Sequence, residues 1–114
     1  MHLSVLSCEI LHTGRVMRGA GVAASRLAEL SPKVLGYAPF PGTLNVRLDH
    51  PLPPYPPPAV TAHLAGYTVS FWPCTVNGLP GHILAWHATP DRRDIEIVSA
   101  HRLRPHGPTI DLDR

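Results

Sequence analysis

The chain has little charge and few cysteines, and it lacks any long hydrophobic run. Charged residues make up 16% and hydrophobic residues 44% of its 114 positions, and the formal net charge is +2. This balance argues against long solvated helices or a disordered acidic tail, and it is typical of one globular domain covering 1–114. No apolar run approaches the roughly 20 residues that span a bilayer, and the first ten residues do not resemble a signal peptide. We therefore expect a cytoplasmic protein without a membrane partner.

Basic residues are scattered along the chain. Lys33 is the only lysine among 10 basic residues, and there is no basic stripe of the kind that binds nucleic acid. Nucleic acid is therefore not an expected partner. Arg92, Arg93, Arg102 and Arg104 fall close together near the C-terminus, where guanidinium groups would suit bidentate recognition of phosphate. Solvated surface arginines are an equally good interpretation of these four.

Several familiar catalytic and metal-binding motifs are absent. Cys8 and Cys74 form no CxxC pair, which argues against a zinc knuckle or a redox motif; we expect core thiols, and the sequence leaves a disulfide open. The eight histidines show neither H-x-x-x-H nor H-E-x-x-H spacing, so a transition-metal site is not favoured. The P-loop and G-x-S-x-G motifs are missing too, which argues against a P-loop kinase and a serine hydrolase.

Strand-like patterns dominate what is present. Apolar residues recur at about every second position from Leu3 to Val16, and 43–48 also reads as a strand. The segment 66–88 predicts two strands around an Asn77-Gly78 turn, a strong hairpin signal. A further strand is expected over 94–100, with Ile95 and Ile97 facing one way and Glu96 and Val98 the other. The C-terminal 107–114 predicts a final short edge strand.

One helix and one proline-rich segment interrupt the strands. The stretch "VAASRLAEL" at 22–30 predicts a short helix that Ser31-Pro32 should end. Six prolines between Pro51 and Pro58 forbid a ladder strand and favour a stiff extended connector; recognition of this segment by an SH3-like partner is a weaker alternative. The pattern as a whole predicts a mainly β protein, a small antiparallel barrel of about six strands with one helical insertion.

Three separate segments suit contact with a charged, hydroxylated ligand. The loop "GAG" at 19–21 offers backbone amides, and "IEIVSAHRLR" at 95–104 offers a carboxylate followed by arginines. The stretch "YAPFPGTLNVRL" at 37–48 should place Thr43 and Asn45 on one side of a strand, with Leu44 and Val46 on the other. Each signal is weak alone, because a Thr-x-Asn pair is usually solvent-facing and Glu96 on a strand is more often solvated than catalytic.

In their order along the chain, these motifs resemble those of the archaeal-type CTP-dependent riboflavin kinases. The resemblance runs through "GRVMRGAG", "LGYAPFPGTLNVRL", "FWPCTVNG", Thr89 and "IEIVSAHRLR". The central segment with GTLN is the most specific of them. The resemblance implies a six-stranded cradle-loop (riboflavin-kinase-like) barrel and transfer of the γ-phosphoryl group of CTP to the 5′-hydroxyl of riboflavin, which gives FMN and CDP. It also implies CTP and riboflavin as partners; we expect a monomer or homodimer.

The resemblance also assigns roles to residues. Thr43 and Asn45 match the magnesium-binding pair, and Thr89 and Glu96 match positions that hold the flavin product. Mg²⁺ prefers hard oxygen ligands, and two neutral ligands alone would bind it poorly, so we expect metal affinity to depend on bound nucleotide. We hypothesise that Glu96 orients or deprotonates the attacking hydroxyl. The nucleotide-binding positions implied by the resemblance are Gly19, Ala20, Gly21, Val22, Ala23, Ala24, His101, Arg102, Leu103 and Arg104.

Some positions depart from the family pattern. The segment between Gly21 and Gly36 is short, Pro90 follows Thr89 where an aromatic neighbourhood is usual, and Ala100 replaces a proline. The usual closing motif "LKDGD" is absent as well. These departures leave open an incomplete barrel, completion by a dimer, or a minimal variant. They also leave a second class of function: a non-catalytic barrel that binds a nucleotide or flavin as a sensor or as a subunit of an assembly.

Overall fold

Antiparallel strands make up most of the structure, a computed structural model that describes residues 11–17, 27, 32–40, 43–64, 66–86, 91–103 and 109–113. The elements within these residues are β1 (Leu11–Met17), α1 (Pro32–Leu35), β2 (Leu44–Leu48), β3 (Val60–Leu64), β4 (Tyr67–Val76), β5 (Leu79–Trp86), β6 (Asp94–Val98) and β7 (Thr109–Asp113). The strands form one sheet in the order β3-β4-β5-β6-β2-β1-β7. The predicted mainly β class with a short helical element is therefore confirmed.

The β4–β5 hairpin follows directly from its turn residues. Val76 pairs with Leu79, so the connection has only two residues, Asn77 with φ 51° and Gly78 with φ 82°. Both angles lie in the left-handed region that a type I′ turn requires, and Asn and Gly adopt that region most readily. The hairpin predicted around Asn77-Gly78 is confirmed.

Strand β7 is correctly predicted as a strand, and it lies at the end of the sheet order as predicted, although part of it has a second partner strand. It pairs with β1 over five residue pairs, and its end also pairs with β4, where Thr75 lies opposite Asp113 and Val76 opposite Leu112. The residues of 107–114 carry no information about these partners, because both strands are distant in the chain.

Two apolar clusters lie on the two faces of the sheet, because side chains alternate along each strand. The first, called here the Val46 cluster, contains Val46, Leu48, Leu52, Trp72, Cys74, Val76, Ile83, Ile95 and Ile97. The second, called here the Phe71 cluster, contains Leu27, Ala62, Leu64, Val69, Phe71, Leu84 and Val98. On β6 the expected alternation is confirmed: Ile95 and Ile97 join the Val46 cluster, and Val98 joins the Phe71 cluster with Glu96 on the same side. Cys74 is buried, as expected of a core thiol, whereas Cys8 lies outside the described residues.

The predicted helix over 22–30 lies largely outside the described residues. Its member Leu27 is helical and 3% exposed. Pro32 starts α1, a position where its missing N–H needs no partner; Ser31, where the predicted helix should end, lies outside the described residues. Gly36 closes α1, since its N–H donates to the Pro32 carbonyl at 2.9 Å and its φ is 83°. Within the described part of the chain, no helix is long and apolar enough to span a membrane.

The proline-rich segment packs against the end of the Val46 cluster. Leu52 is fully buried in that cluster. The Trp72 indole N–H donates to the Pro56 carbonyl at 2.7 Å, and the Tyr55 and Trp72 rings lie 4.9 Å apart between centroids. This supports the interpretation of the segment as an anchored connector.

Two of the clustered arginines bond to this connector and to the end of β2. Arg92 Nε donates to the Leu52 carbonyl at 2.7 Å, and Arg93 Nε donates to the Leu48 carbonyl at 2.9 Å. Their backbone carbonyls in turn accept from the N–H groups of Leu52 and Leu48. These Nε donors satisfy buried backbone carbonyls, so Arg92 and Arg93 contribute to the fold; phosphate binding by their exposed guanidinium groups stays a prediction.

Candidate functional site

The predicted site residues on β2 and β6 meet through strand pairing. Asn45 on β2 lies directly opposite Glu96 on β6, and on its other side it lies opposite Met17 at the end of β1. Directly opposite residues place their side chains on the same face, with Cβ atoms roughly 5 Å apart. Thr43, Asn45 and Glu96 are all half-buried. Two motifs about fifty positions apart therefore contribute to one location.

Both carboxylate oxygens of Glu96 accept a hydrogen bond. The Thr43 hydroxyl donates to Oε2 at 2.7 Å, and the Trp86 indole N–H donates to Oε1 at 3.3 Å. Trp86 ends β5, and its ring meets the Tyr67 ring edge-on, with centroids 6.1 Å apart. Leu84, which is buried, lies opposite Glu96 on β5. The carboxylate thus lies beside the buried Leu84 and accepts from Thr43, which immediately precedes β2, and from Trp86 at the end of β5.

Sequence reasoning missed Trp86. Its contact with Glu96 depends on the register that pairs Leu84 with Glu96 and so brings Trp86, two residues further along β5, within diagonal reach. The one available signal was an aromatic residue at the end of the second hairpin strand. That signal does not specify a polar partner.

A pocket of about 180 Å³ lies beside this group. Its lining residues are Phe40, Thr43, Leu44, Ile97, Ser99, His101, Arg102 and Leu103. Thr43 therefore borders both the Glu96 carboxylate and the pocket. Three predicted nucleotide-binding residues, His101, Arg102 and Leu103, line the same space, so the structure brings part of the predicted nucleotide and metal sites together.

Hydrogen bonds between two loops shape the pocket wall. The Phe40 N–H donates to the Ser99 carbonyl at 2.7 Å. The buried Ser99 hydroxyl donates to the Pro80 carbonyl at 2.6 Å and accepts from the His101 N–H at 3.1 Å. Phe40 itself remains 40% exposed at the pocket. Sequence reasoning missed Phe40 as well, although an aromatic residue in the most specific motif offered a signal.

The remaining predicted site residues lie outside the described residues. These are Gly19, Ala20, Gly21, Val22, Ala23 and Ala24 of the first loop, Thr89 of the flavin site, and Arg104. Their roles stay predictions.

The donor chemistry of the site fits a hard divalent cation. Within the described ranges, no group of three or more His, Cys, Asp or Glu side chains is placed to hold a metal ion. The Thr43 hydroxyl, the Asn45 amide and the Glu96 carboxylate, however, offer three kinds of oxygen on neighbouring strands, and oxygen is the ligand atom that Mg²⁺ prefers. The residues present therefore fit the magnesium ion that the resemblance implies.

A tyrosine and a histidine pack together near the pocket wall. The Tyr37 hydroxyl lies 2.8 Å from His82 Nδ1 and also donates to the Val98 carbonyl at 3.4 Å. The two rings stack with centroids 5.6 Å apart. Burial raises the pKa of Tyr37 to about 12, with Cys74 as the second cause. Burial likewise lowers the pKa of His82 below its usual 6.5, which favours the neutral ring.

This histidine makes stability depend on pH on the acid side. Because the folded-state pKa of His82 lies below 6.5, the unfolded chain binds more protons between the two pKa values, and the free energy of unfolding should fall as the pH drops below about 6.5. Hydrogen bonds lower the pKa values of Asp91 and Asp94 below 3.8. These two carboxyl groups therefore titrate outside this pH window. Urea unfolding at pH 7 and pH 5 should show a smaller difference for His82→Gln than for the natural chain.

The exposed His63 gives the control for this experiment. His63→Gln should leave the difference between pH 7 and pH 5 close to that of the natural chain, because His63 lies on an exposed part of β3. An unchanged difference in His82→Gln would contradict the prediction.

No family model matches this chain, and no curated protein matches it.

Proposed function

We propose that the chain is a phosphotransferase, a CTP-dependent riboflavin kinase that forms FMN and CDP from riboflavin and CTP. The observation that supports this most is the 2.7 Å hydrogen bond between Thr43 and Glu96, with Asn45 opposite Glu96. Residues expected to hold the metal and residues expected to hold the flavin thus occupy one location. The pocket lined by His101 and Arg102 begins at the same Thr43.

The proposal extends to the architecture. The two residue pairs between β4 and β7 link the last strand of the sheet order to the second one. We propose that β1, β2 and β4–β7 are the six strands of a cradle-loop barrel, with β3 added alongside β4. Cytoplasmic residence belongs to the same proposal.

The site residues within the described part of the chain each have a role in the proposed reaction. Phosphoryl transfer needs mainly positioning and neutralisation of charge. Thr43 and Asn45 would hold the Mg²⁺ ion, which would supply positive charge to offset that of the nucleotide phosphates. Glu96 would accept the proton of the riboflavin 5′-hydroxyl, and Arg102 beside His101 would face the nucleotide phosphates across the pocket.

A substrate screen tests the proposed function. The full chain is incubated with riboflavin, Mg²⁺ and one of CTP, ATP, GTP or UTP, and FMN is separated from riboflavin by chromatography with fluorescence detection. FMN should form with CTP in preference to the other nucleotides. Absence of FMN with all four nucleotides would reject the kinase. If riboflavin or CTP still binds under those conditions, the non-catalytic binding barrel becomes the better interpretation.

Replacement of the two neutral ligands should weaken the binding of magnesium nucleotide. Thr43→Ala and Asn45→Ala each remove one oxygen from the proposed metal site, so isothermal titration with CTP should show a weaker Mg²⁺-dependent affinity in both variants. Thr61→Ala is the matched control, because Thr61 is an exposed threonine on β3 whose hydroxyl bonds to the Ser70 hydroxyl at 3.2 Å.

The same variants separate the kinase from a proline-segment interaction module. Binding of a protein partner by the segment from Pro51 to Pro58 would survive Thr43→Ala and Asn45→Ala, because that segment is anchored at the Val46 cluster and makes its contacts with Trp72, Arg92 and Asp91. Equal CTP affinity in the natural chain and both variants would remove Thr43 and Asn45 from the site.

A further inference from the structure

The hydrogen bond between Thr43 and Glu96 fixes which part of the Thr43 hydroxyl is available to a ligand. A hydroxyl has one proton and two lone pairs. The proton is directed at Glu96 Oε2 at 2.7 Å, so the lone pairs are the groups that remain to face a neighbouring ligand. A hydroxyl held in this way presents an oxygen to a cation and has no donor left for another anion.

The Glu96 carboxylate is itself fixed. The Trp86 indole N–H donates to Oε1 at 3.3 Å, and Glu96 sits within β6 between its pairing partners Asn45 on β2 and Leu84 on β5. A donor on each oxygen leaves the side chain little freedom to turn away from Thr43. Groups that orient a metal ligand by a hydrogen bond commonly have a strong effect on metal affinity.

The carboxylate also supplies negative charge that the ligand pair lacks. Thr43 and Asn45 are neutral, and neutral oxygens alone hold Mg²⁺ weakly. A half-buried carboxylate separated from the Thr43 oxygen by a single hydrogen bond makes that oxygen a better electron donor and attracts a cation directly. The site therefore does not depend on nucleotide phosphates for its whole charge.

We propose that Glu96 is a positioning residue for a divalent cation, acting through Thr43, so that the chain binds such a cation at Thr43 and Asn45 before any nucleotide is present. This inference rests on the metal role given to Thr43 and Asn45 in the proposed function. It replaces the expectation that metal affinity depends on bound nucleotide. It also couples the metal site to the riboflavin site, because a riboflavin hydroxyl that donates to Glu96 competes with the Thr43 hydroxyl for the same carboxylate.

Binding of Mn²⁺ without nucleotide or riboflavin tests the inference. Mn²⁺ is the probe because its paramagnetism reports binding through the relaxation of water protons, and no enzymatic turnover is involved. The natural full-length chain should bind Mn²⁺, and Glu96→Gln should bind it about 10- to 100-fold more weakly. Thr43→Val should lose binding to a similar extent, whereas Thr43→Ser, which keeps the hydroxyl, should retain most of it.

Asp94→Asn is the matched control for charge. Asp94 precedes Glu96 by two positions on β6 and therefore lies on the same face, but it is exposed and paired with Arg47. The substitution Asp94→Asn removes the same charge without changing a contact of Thr43. The Mn²⁺ affinity of this variant should stay near that of the natural chain, since salt screens exposed charges. Far-ultraviolet circular dichroism and thermal unfolding of each variant check that the fold is kept.

Three outcomes would overturn the inference: no Mn²⁺ binding by the natural chain, equal affinity in the natural chain and Glu96→Gln, or equal weakening in Glu96→Gln and Asp94→Asn. None of these is the same as failure of the kinase. A chain that binds Mn²⁺ through Glu96 but forms no FMN keeps the inference and loses the proposed activity. A chain that forms FMN while Glu96→Gln binds Mn²⁺ normally loses the inference alone.

Discussion

Glu96→Gln should lower the turnover number for FMN formation by about 10²- to 10⁴-fold, the range expected when a general base is removed. Glutamine keeps the size of the side chain and can still accept a hydrogen bond from Thr43, which in the natural chain donates to Oε2 at 2.7 Å. It cannot take the proton of the riboflavin 5′-hydroxyl. Initial rates at saturating CTP and riboflavin, with FMN measured by chromatography, give the turnover number directly.

The effect of Glu96→Gln on metal binding must be separated from its effect on proton transfer. The assay is therefore repeated at rising Mg²⁺ concentrations until the rate of Glu96→Gln stops increasing, and the plateau is compared with that of the natural chain. Asp94→Asn serves again as the control, and its plateau should equal the natural one because Asp94 is exposed and bonded to Arg47. A Glu96→Gln plateau within a few-fold of the natural rate would remove Glu96 from proton transfer while leaving its role in metal binding open to the Mn²⁺ titration.

Local signals in the sequence predicted those parts of the fold that neighbouring residues determine. The Asn77-Gly78 turn needs only two residues that tolerate positive φ, and the structure has both. The alternation on β6 needs only the two-residue period of a strand, and Ile95 and Glu96 do face opposite sides. In both cases the physical cause lies within a few positions of the residue concerned.

Pairing between distant strands could not be predicted in the same way. The partners of β7 were not predicted, because nothing in 107–114 identifies β1 and β4. The same limit applies to Arg92 and Arg93, whose side chains could equally face phosphate or solvent until the carbonyls of Leu52 and Leu48 are placed beside them. Loop and strand register decides such contacts, and register is set by the whole sheet.

The candidate site shows both situations together. The resemblance selected Thr43, Asn45 and Glu96, and strand pairing brings them to one place. Trp86 and Phe40 carry no such motif role, although one bonds to Glu96 and the other lines the pocket. Their positions depend on how β5 meets β6 and on how the loop before β2 meets Ser99.

The anchored proline-rich segment leads to the largest expected effect on stability. Leu52 is fully buried in the Val46 cluster, although prolines flank it on both sides in the segment from Pro51 to Pro54. Leu52→Ala removes buried apolar surface and leaves a cavity, which together cost about 2–5 kcal/mol for a buried leucine. Urea unfolding followed by circular dichroism should show this loss as a lower midpoint with little change in slope.

Leu79 gives a control of the same residue type. It is 37% exposed at the start of β5, so Leu79→Ala should change the free energy of unfolding by less than about 1 kcal/mol. The comparison also tests how the segment is held, because Arg92 and Trp72 bond to its backbone whether or not Leu52 fills the core. If Leu52→Ala cost no more than Leu79→Ala, those two backbone hydrogen bonds would be the main anchor, and Leu52 would contribute little to the Val46 cluster.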